Sequence, residues 1–329
     1  MGTQSGTKLD QLVNILKEAP DEVFIQPHNV PDPDAIASCL ALYYLLTYRG
    51  IKKVRIVYDQ EIEKANALKM VELFDVPIIH SRDADTLGEE DWTVLVDVQK
   101  GNSNVTDLIT DEVAVIDHHE HLKGQDYRFS DIRPEVGSCS AIMAEYFFEN
   151  NITIPSNVAT ALLYGIFMDT NDLTRGTSSM DIEMFYKLYP RADISFIIEL
   201  RGNAISYSDL SLYAEAFKTV EVYDGIGFLK LVSANDSLLG AAGDIVLSVS
   251  GVDIVVAYSE RNNGVKLSIR SSIDKVKANT LVRFLVKDVG VGGGHEHMAG
   301  GFIPADNLKI NQSINTFLKH RAISFYESI

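Results

Sequence analysis

The stretch Val115-Ile116-Asp117-His118-His119 runs two apolar residues straight into an acid and two adjacent imidazoles. It reads as a buried strand delivering charged ligands at its carboxyl end, because a core strand has no packing reason to finish on three such groups. Three other stretches place Asp or His in a similar setting: His28-Asn29-Val30-Pro31-Asp32-Pro33-Asp34, Val94-Leu95-Val96-Asp97 and Gly165-Ile166-Phe167-Met168-Asp169. Together they supply enough oxygen and nitrogen ligands for two metal ions.

Outward from that stretch, strand-like runs alternate with helical ones. Asp10 to Glu18 has Leu12, Val13, Ile15 and Leu16 at helical spacing, and Val23-Phe24-Ile25 reads as a first strand. Pro31 and Pro33 hold Val30 and Asp32 away from helical angles, so an extended loop is expected from His28 to Asp34. An apolar helix then runs from Ala35 to Tyr48, with Asp34 either its N-cap or a ligand. Lys53 to Tyr58, Thr93 to Asp97 and Val113 to Asp117 read as further strands, and Glu61 to Phe74 as a crossover helix. Gly137-Ser138-Cys139-Ser140 opens a helix whose small residues suit either capping or anion contact, and Asn157 to Phe167 forms another that ends on Asp169-Thr170. The alternation predicts an α/β fold, a mostly parallel sheet with helices on both faces and ligands beyond the carboxyl ends of its strands.

A chain of 329 residues suits two domains. Periodicity weakens after Tyr189-Pro190, which places an N-terminal domain over residues 1–190, a connection over 191–215 and a smaller α/β domain with a mixed sheet over 216–329. The second half has strand-like runs at Gly227 to Val232, Ile254 to Tyr258 and Val265 to Ile269, a helical region at Asp236 to Leu239, and the hairpin signal Asn262-Asn263-Gly264. Asn279 to Lys287 looks helical and leads into Val291-Gly292-Gly293-Gly294-His295, where three glycines either form a turn or let a backbone approach a ligand closely.

Composition narrows the function. Asp plus Glu outnumber Lys plus Arg by 46 to 29, which argues against a binder of long nucleic acid and leaves room for a small anion gripped by a few local cations. Cys39 and Cys139 are the only cysteines, so a reducing cytoplasm rather than a disulfide framework is expected. The first eight residues lack an apolar core, no apolar run reaches membrane-spanning length, and no membrane partner is expected.

Asp32, Asp34, Asp97 and Asp169 gathered in one crevice would repel one another as bare carboxylates, and divalent cations remove that conflict. Carboxylate and imidazole without thiol suit Mn²⁺ or Mg²⁺ better than structural Zn²⁺. Two such ions about 4 Å apart can activate water, hold a phosphate and stabilise the attacking and leaving oxygens of an in-line displacement. The expected reaction is phosphoester hydrolysis.

The four stretches resemble the four motifs of the DHH phosphoesterase superfamily. Leu267 to Ser272 (L-S-I-R-S-S) and Gly292 to Gly301 (G-G-G-H-E-H-M-A-G-G) resemble the DHH-associated C-terminal domain of the nanoRNase and pAp-phosphatase branch. That resemblance implies that His28 and Asp32 bind one metal, that Asp34, His118 and Asp169 bind the other, and that Asp97 bridges them. It implies two divalent ions, Mn²⁺ foremost, with His119 facing the scissile phosphate as donor or acid and Asp117 orienting the imidazoles. Arg270, Gly293, Gly294 and His295 are the implied substrate contacts, with Ser138 and Arg175 joining them from the first domain. Departures fall beside the metals: Asp97-Val98-Gln99-Lys100 replaces the usual Asp-Thr, and Leu173-Thr174-Arg175 stands where many relatives have an aromatic before Arg. They leave the expected ligands in place and bear on the substrate. The expected substrate is a very short RNA or DNA oligonucleotide or a small nucleotide such as pAp. Cyclic dinucleotide phosphodiesterase, pyrophosphatase or exopolyphosphatase, and a silent nucleotide sensor stand as alternatives, and a homodimer stays open.

Overall fold

A computed structural model describes residues 6–62, 64–202, 207, 209–232, 234–308 and 313–329. The chain divides into two compact units, Met1–Ala204 and Ile205–Ile329.

Unit 1 contains β1 (Val23–Gln26), β2 (Val54–Tyr58), β3 (Ile78–His80), β4 (Trp92–Val96), β5 (Asp111–Asp117) and β6 (Phe129–Ile132). Its helices are α1 (Lys8–Leu16), α2 (Pro33–Tyr48), α3 (Ala65–Leu73), α4 (Cys139–Glu149), α5 (Ser156–Asp169), α6 (Ser179–Leu188) and α7 (Ile194–Gly202). The strands order as β3-β2-β1-β4-β5-β6, and every pairing is parallel. β4 is buried at all five positions and β5 at six of seven, the near-continuous apolar pattern of a sheet covered on both faces. A Thr7–Asp10 capping box starts α1, which buries Leu9, Leu12, Val13 and Leu16. Chain order reverses between β1 and β4, and in open sheets of this kind a crevice opens outside the strand ends at that reversal. His28 follows β1, Asp97 follows β4 and Asp117 closes β5, so three of the four quoted stretches arrive at that crevice.

Unit 2 contains α8 (Asp209–Lys218), β7 (Glu221–Tyr223), β8 (Ile226–Val232), α9 (Asp236–Leu247), β9 (Ile254–Arg261), β10 (Gly264–Ser271), α10 (Ala278–Leu285), β11 (Val291–Gly294), β12 (Met298–Pro304) and α11 (Ile314–Glu327). The sheet, ordered β11-β12-β10-β9-β8-β7, is mixed: β8 and β9 pair parallel and the others antiparallel. Asn262 and Asn263 turn the β9–β10 hairpin, with Gly264 at φ 149°. Alternation along β9 gives the unit two cores, Ile254, Val256 and Tyr258 on one face and Val255 and Ala257 on the other.

Several boundaries differ from the sequence reading. The loop before α2 is not uniformly extended, since Val30 sits at φ 55°. The segment read as a connection carries α7 and α8, while residues 203–206 and 208 of it lie outside the described residues. The glycine run is neither turn nor bare loop: it is strand β11, paired residue for residue with β12. Packing is tight at two positions of this pair: a Cβ on Gly292 would meet Val282 of α10 at 3.1 Å, and one on Gly301 of β12 would meet it at 2.7 Å. Among the described residues, no helix is long and apolar enough to cross a membrane.

Candidate metal centre

Asp97 organises the centre. It leaves β4 at φ 62°, a left-handed conformation that few non-glycine residues adopt, and its carboxylate is almost wholly buried. One oxygen, Oδ2, lies 3.7 Å from His28 Nε2, and the other, Oδ1, lies 3.3 Å from His118 Nε2. Oδ1 is buried without an aligned hydrogen-bond donor among the described residues. A buried carboxylate oxygen in that state has a strong need for a cation.

On the Oδ2 side, His28 Nε2 also lies 3.9 Å from Asp32 Oδ1, and His28, Asp32 and Asp97 converge closely enough to share one ion. His28 Nδ1 donates to the carbonyl of Asn29 at 2.8 Å; a carbonyl only accepts, so Nδ1 carries a proton and Nε2 is the nitrogen that faces the two acids. Asp32 is the N-cap of α2, its Oδ1 accepting from the backbone N–H groups of Asp34 and Ala35. The cap role weighed for Asp34 therefore belongs to Asp32.

On the Oδ1 side, Asp34, His118 and Asp169 converge, with His118 Nε2 3.0 Å from Asp169 Oδ2. His118 Nδ1 donates to the carbonyl of Val136, which again aims Nε2 at the acids. Asp34 is fully buried in the first turn of α2, and its two oxygens accept from Cys139 N at 2.8 Å and Ser140 N at 2.9 Å, the open amino end of α4. Gly165 lets α5 come close enough to present Asp169: a Cβ there would stand 2.1 Å from Ser140 Oγ and 3.0 Å from Asp34 Oδ1. Asn171, Asp172 and Leu173 then take three successive left-handed conformations that turn the chain sharply after Asp169.

Electrostatics match a site built for cations. Burial, then the charges of Asp97 and Asp169, push the Asp34 carboxyl well above its ordinary range. Burial raises Asp97 too, against the pull of His118. Burial opposes charging His28, yet its hydrogen bond to Asp32 and the charges of Asp32 and Asp97 prevail and raise it to about 9. Asp32 resists its own burial through the Lys64 charge and His28, and stays well below the usual range. Imidazole, lysine and carboxylate charges offset one another only in part here, where a divalent ion would compensate the carboxylates directly. The thiol-free set of oxygen and imidazole donors fits Mn²⁺ or Mg²⁺.

The two adjacent histidines have different surroundings. The His118 side chain is 3% exposed and that of His119 34%. His119 Nδ1 donates to Asp117 Oδ1 at 2.8 Å, and the same oxygen accepts from the backbone N–H of His118 and His119. Burial works against the His119 charge, but Asp117 outweighs it and raises the imidazole above its ordinary value. Asp117 itself is lowered to about 2, its burial overcome by His119, His118 and Gln99.

Gln99 was visible in the sequence only as a departure from a motif. Its Nε2 donates to Asp117 Oδ2 at 2.6 Å and to the carbonyl of Glu120 at 3.1 Å, while its Oε1 accepts from Leu122 N at 2.8 Å. This side chain ties β4's exit to the loop carrying both histidines. The signal that could have found it is a neutral amide between strand end and Lys100, in a stretch otherwise buried.

The residues expected to touch substrate are placed less uniformly. Ser138 is fully buried; its hydroxyl donates to Asp181 and accepts from Ala141 N as the cap of α4. Arg175 is half-buried in the loop after α5. In unit 2, Arg270 is 5% exposed, with Nε donating to Asp244 Oδ1 at 2.6 Å and Nη1 to Ser268 Oγ at 2.8 Å. Gly240 of α9 makes room for that guanidinium, since a Cβ would stand 2.8 Å from Arg270 Nη2. Gly293 has open space around it, Gly294 needs its φ of 136°, and His295 begins the turn to β12 with its N–H donating to Met298 O.

Comparison with known proteins agrees with this geometry. The family described as "DHH family, N-terminal domain" matches residues 22–166, and the DHHA1 domain matches residues 227–320. An uncharacterized protein of Methanocaldococcus jannaschii is 30% identical over 320 residues, covering 92% of this chain and 93% of its own length. This chain belongs to the DHH family of phosphoesterases. A second uncharacterized protein of the same organism is 29% identical over 296 residues, and there the match covers 89% of this chain but only 60% of the relative. A probable manganese-dependent inorganic pyrophosphatase of Streptococcus thermophilus is 29% identical over 152 residues, 45% of this chain and 48% of its own. Among solved structures, an exopolyphosphatase-related protein from Bacteroides fragilis superposes with TM-score 0.77 at 20% identity over 99% of both chains, a likeness of fold.

Proposed function

We propose that the chain hydrolyses phosphoester bonds in very short oligonucleotides or small nucleotides such as pAp, using a pair of divalent ions, with Mn²⁺ as the favoured metal. The observation that carries this reading is the divided carboxylate of Asp97, with one oxygen toward His28 and the other toward His118. His28 and Asp32 would hold one ion, Asp34, His118 and Asp169 the other, and Asp97 both. Ions bound there supply an activated water and neutralise charge at the phosphorus. The manganese-dependent relative supports the choice of metal.

The remaining steps belong to the protein. Asp117 holds His119 with Nδ1 protonated and favours its imidazolium, so the Nε2 proton can pass to the leaving oxygen as the ester bond breaks. Asp117 thus acts through His119. The deep burial of His118 supports a ligand role, and the greater exposure of His119 supports a role at the substrate. In unit 2, Arg270, Gly293, Gly294 and His295 are the candidate nucleotide contacts, and in unit 1 Arg175 is a candidate phosphate contact. The acidic balance, 46 acids against 29 Lys and Arg, favours short substrates over long strands, which need an extended basic track.

The test is turnover by purified protein with Mn²⁺ on pAp, RNA of two, five and about twenty nucleotides, cyclic dinucleotides and pyrophosphate. The reading expects kcat/KM to be highest on pAp or the dinucleotide and to fall with length. Rising efficiency with length, or turnover of pyrophosphate alone, overturns it.

A further inference from the structure

Lys64 stands at the amino end of α3 and points its charge at the centre. Its Nζ lies 3.5 Å from Asp32 Oδ2, with the lysine side chain 36% exposed. The other oxygen of Asp32, Oδ1, caps α2, so the lysine meets the oxygen that the cap leaves over. No cap hydrogen bond ties the Lys64 side chain to its own helix.

Stability does not account for this placement. A single half-exposed ion pair contributes little to folding once screening and side-chain ordering are counted. A lysine against a metal-binding carboxylate also competes with the metal, since both seek the same oxygen. Such a cation is useful where the bound ligand is itself anionic and arrives with the metals. The lysine stem has four flexible carbons and its ammonium three donors, so a small swing is enough to change partners.

We propose that Lys64 is a phosphate-binding residue of this centre, countering Asp32 in the metal-free chain and turning to the non-bridging oxygens of a substrate phosphate once Asp32 engages a divalent ion. The ligand class is a nucleoside phosphate, and the assignment rests on the phosphoesterase reading above. It gives the two states opposite dependences on one side chain. Removing the charge relieves competition for Asp32 and strengthens metal binding, yet weakens binding of the anion. A residue that only braced Asp32 would weaken the metal, and a bystander would change neither.

Two titrations decide it, on wild type, Lys64→Met, which keeps the stem without the charge, and Lys64→Arg, which keeps the charge. Calorimetry with Mn²⁺ on the metal-free proteins is expected to show about 3-fold tighter binding in Lys64→Met, the scale of one exposed ion pair. Titration of AMP into the Mn²⁺-loaded proteins is expected to show about tenfold weaker binding in Lys64→Met, the scale of one hydrogen bond to a charged group. Lys64→Arg should stay close to wild type in both. Unchanged or weaker Mn²⁺ binding in Lys64→Met, or unchanged AMP binding, overturns the proposal. Wild type that turns over no substrate in the panel above sinks the phosphoesterase reading instead, and the Mn²⁺ arm still decides whether Lys64 competes for Asp32.

Discussion

Gln99→Glu exchanges one amide nitrogen for oxygen and changes little else in shape. In the native chain that nitrogen donates to Asp117 Oδ2 at 2.6 Å, with Gln99 1% and Asp117 0% exposed. In the variant two carboxylate oxygens face each other at that place. Carboxyls so close share a proton, which raises one of them by roughly 2 to 3 pKa units. At about 1.36 kcal/mol per unit, the native state loses about 3 to 4 kcal/mol where the unfolded chain would be fully ionised. The sign follows from linkage: the folded carboxyl is raised, so its cost is absent below about pH 4 and grows as pH rises through about 7. Urea unfolding of metal-free wild type and variant at pH 7.5 and pH 5 measures this directly. The stability gap should be large at pH 7.5 and shrink to about 1 kcal/mol at pH 5. A gap equal at both pH values, or no gap at all, refutes the argument that Gln99 serves Asp117 as a neutral donor.

Gly165→Ala places a Cβ 2.1 Å from Ser140 Oγ and 3.0 Å from Asp34 Oδ1, and should destabilise by about 1 to 3 kcal/mol in thermal or urea melts. Ser140→Ala in the same chain should recover part of that loss, and equal stability of Gly165→Ala and wild type would contradict the close packing. Metal-free protein should lose stability as pH rises from 6.5 to 9, because His28 is raised from 6.5 to about 9 and its contribution is complete only below the lower value. The amplitude is at most about 3 kcal/mol, and melts of His28→Asn should be flatter across that range.

Much of the candidate centre was legible because its acids and imidazoles close apolar runs. The buried Val113 to Ile116 segment has no packing use for the acid and imidazoles that follow it, and the same logic exposed Asp97 and Asp169. Parallel strands were legible from their continuous burial. β3 and β6 were not read, being short edge strands of three and four residues. β11 was hidden because three glycines carry no strand preference; pairing with β12 and the pressure of Val282 make the strand. Partnerships between distant residues were beyond reach as well. Gln99 with Asp117, Arg270 with Asp244 and Ser138 with Asp181 join positions that only the folded chain brings together.

The central claim is that Asp97 serves two ions at once. Calorimetric titration of metal-free protein with Mn²⁺, comparing wild type with Asp97→Asn, tests it most directly. The account predicts two ions per wild-type chain and loss of affinity at both sites in the variant, because one carboxylate faces both ligand groups. A single ion per wild-type chain, or a variant that loses one site and keeps the other at full affinity, would contradict it.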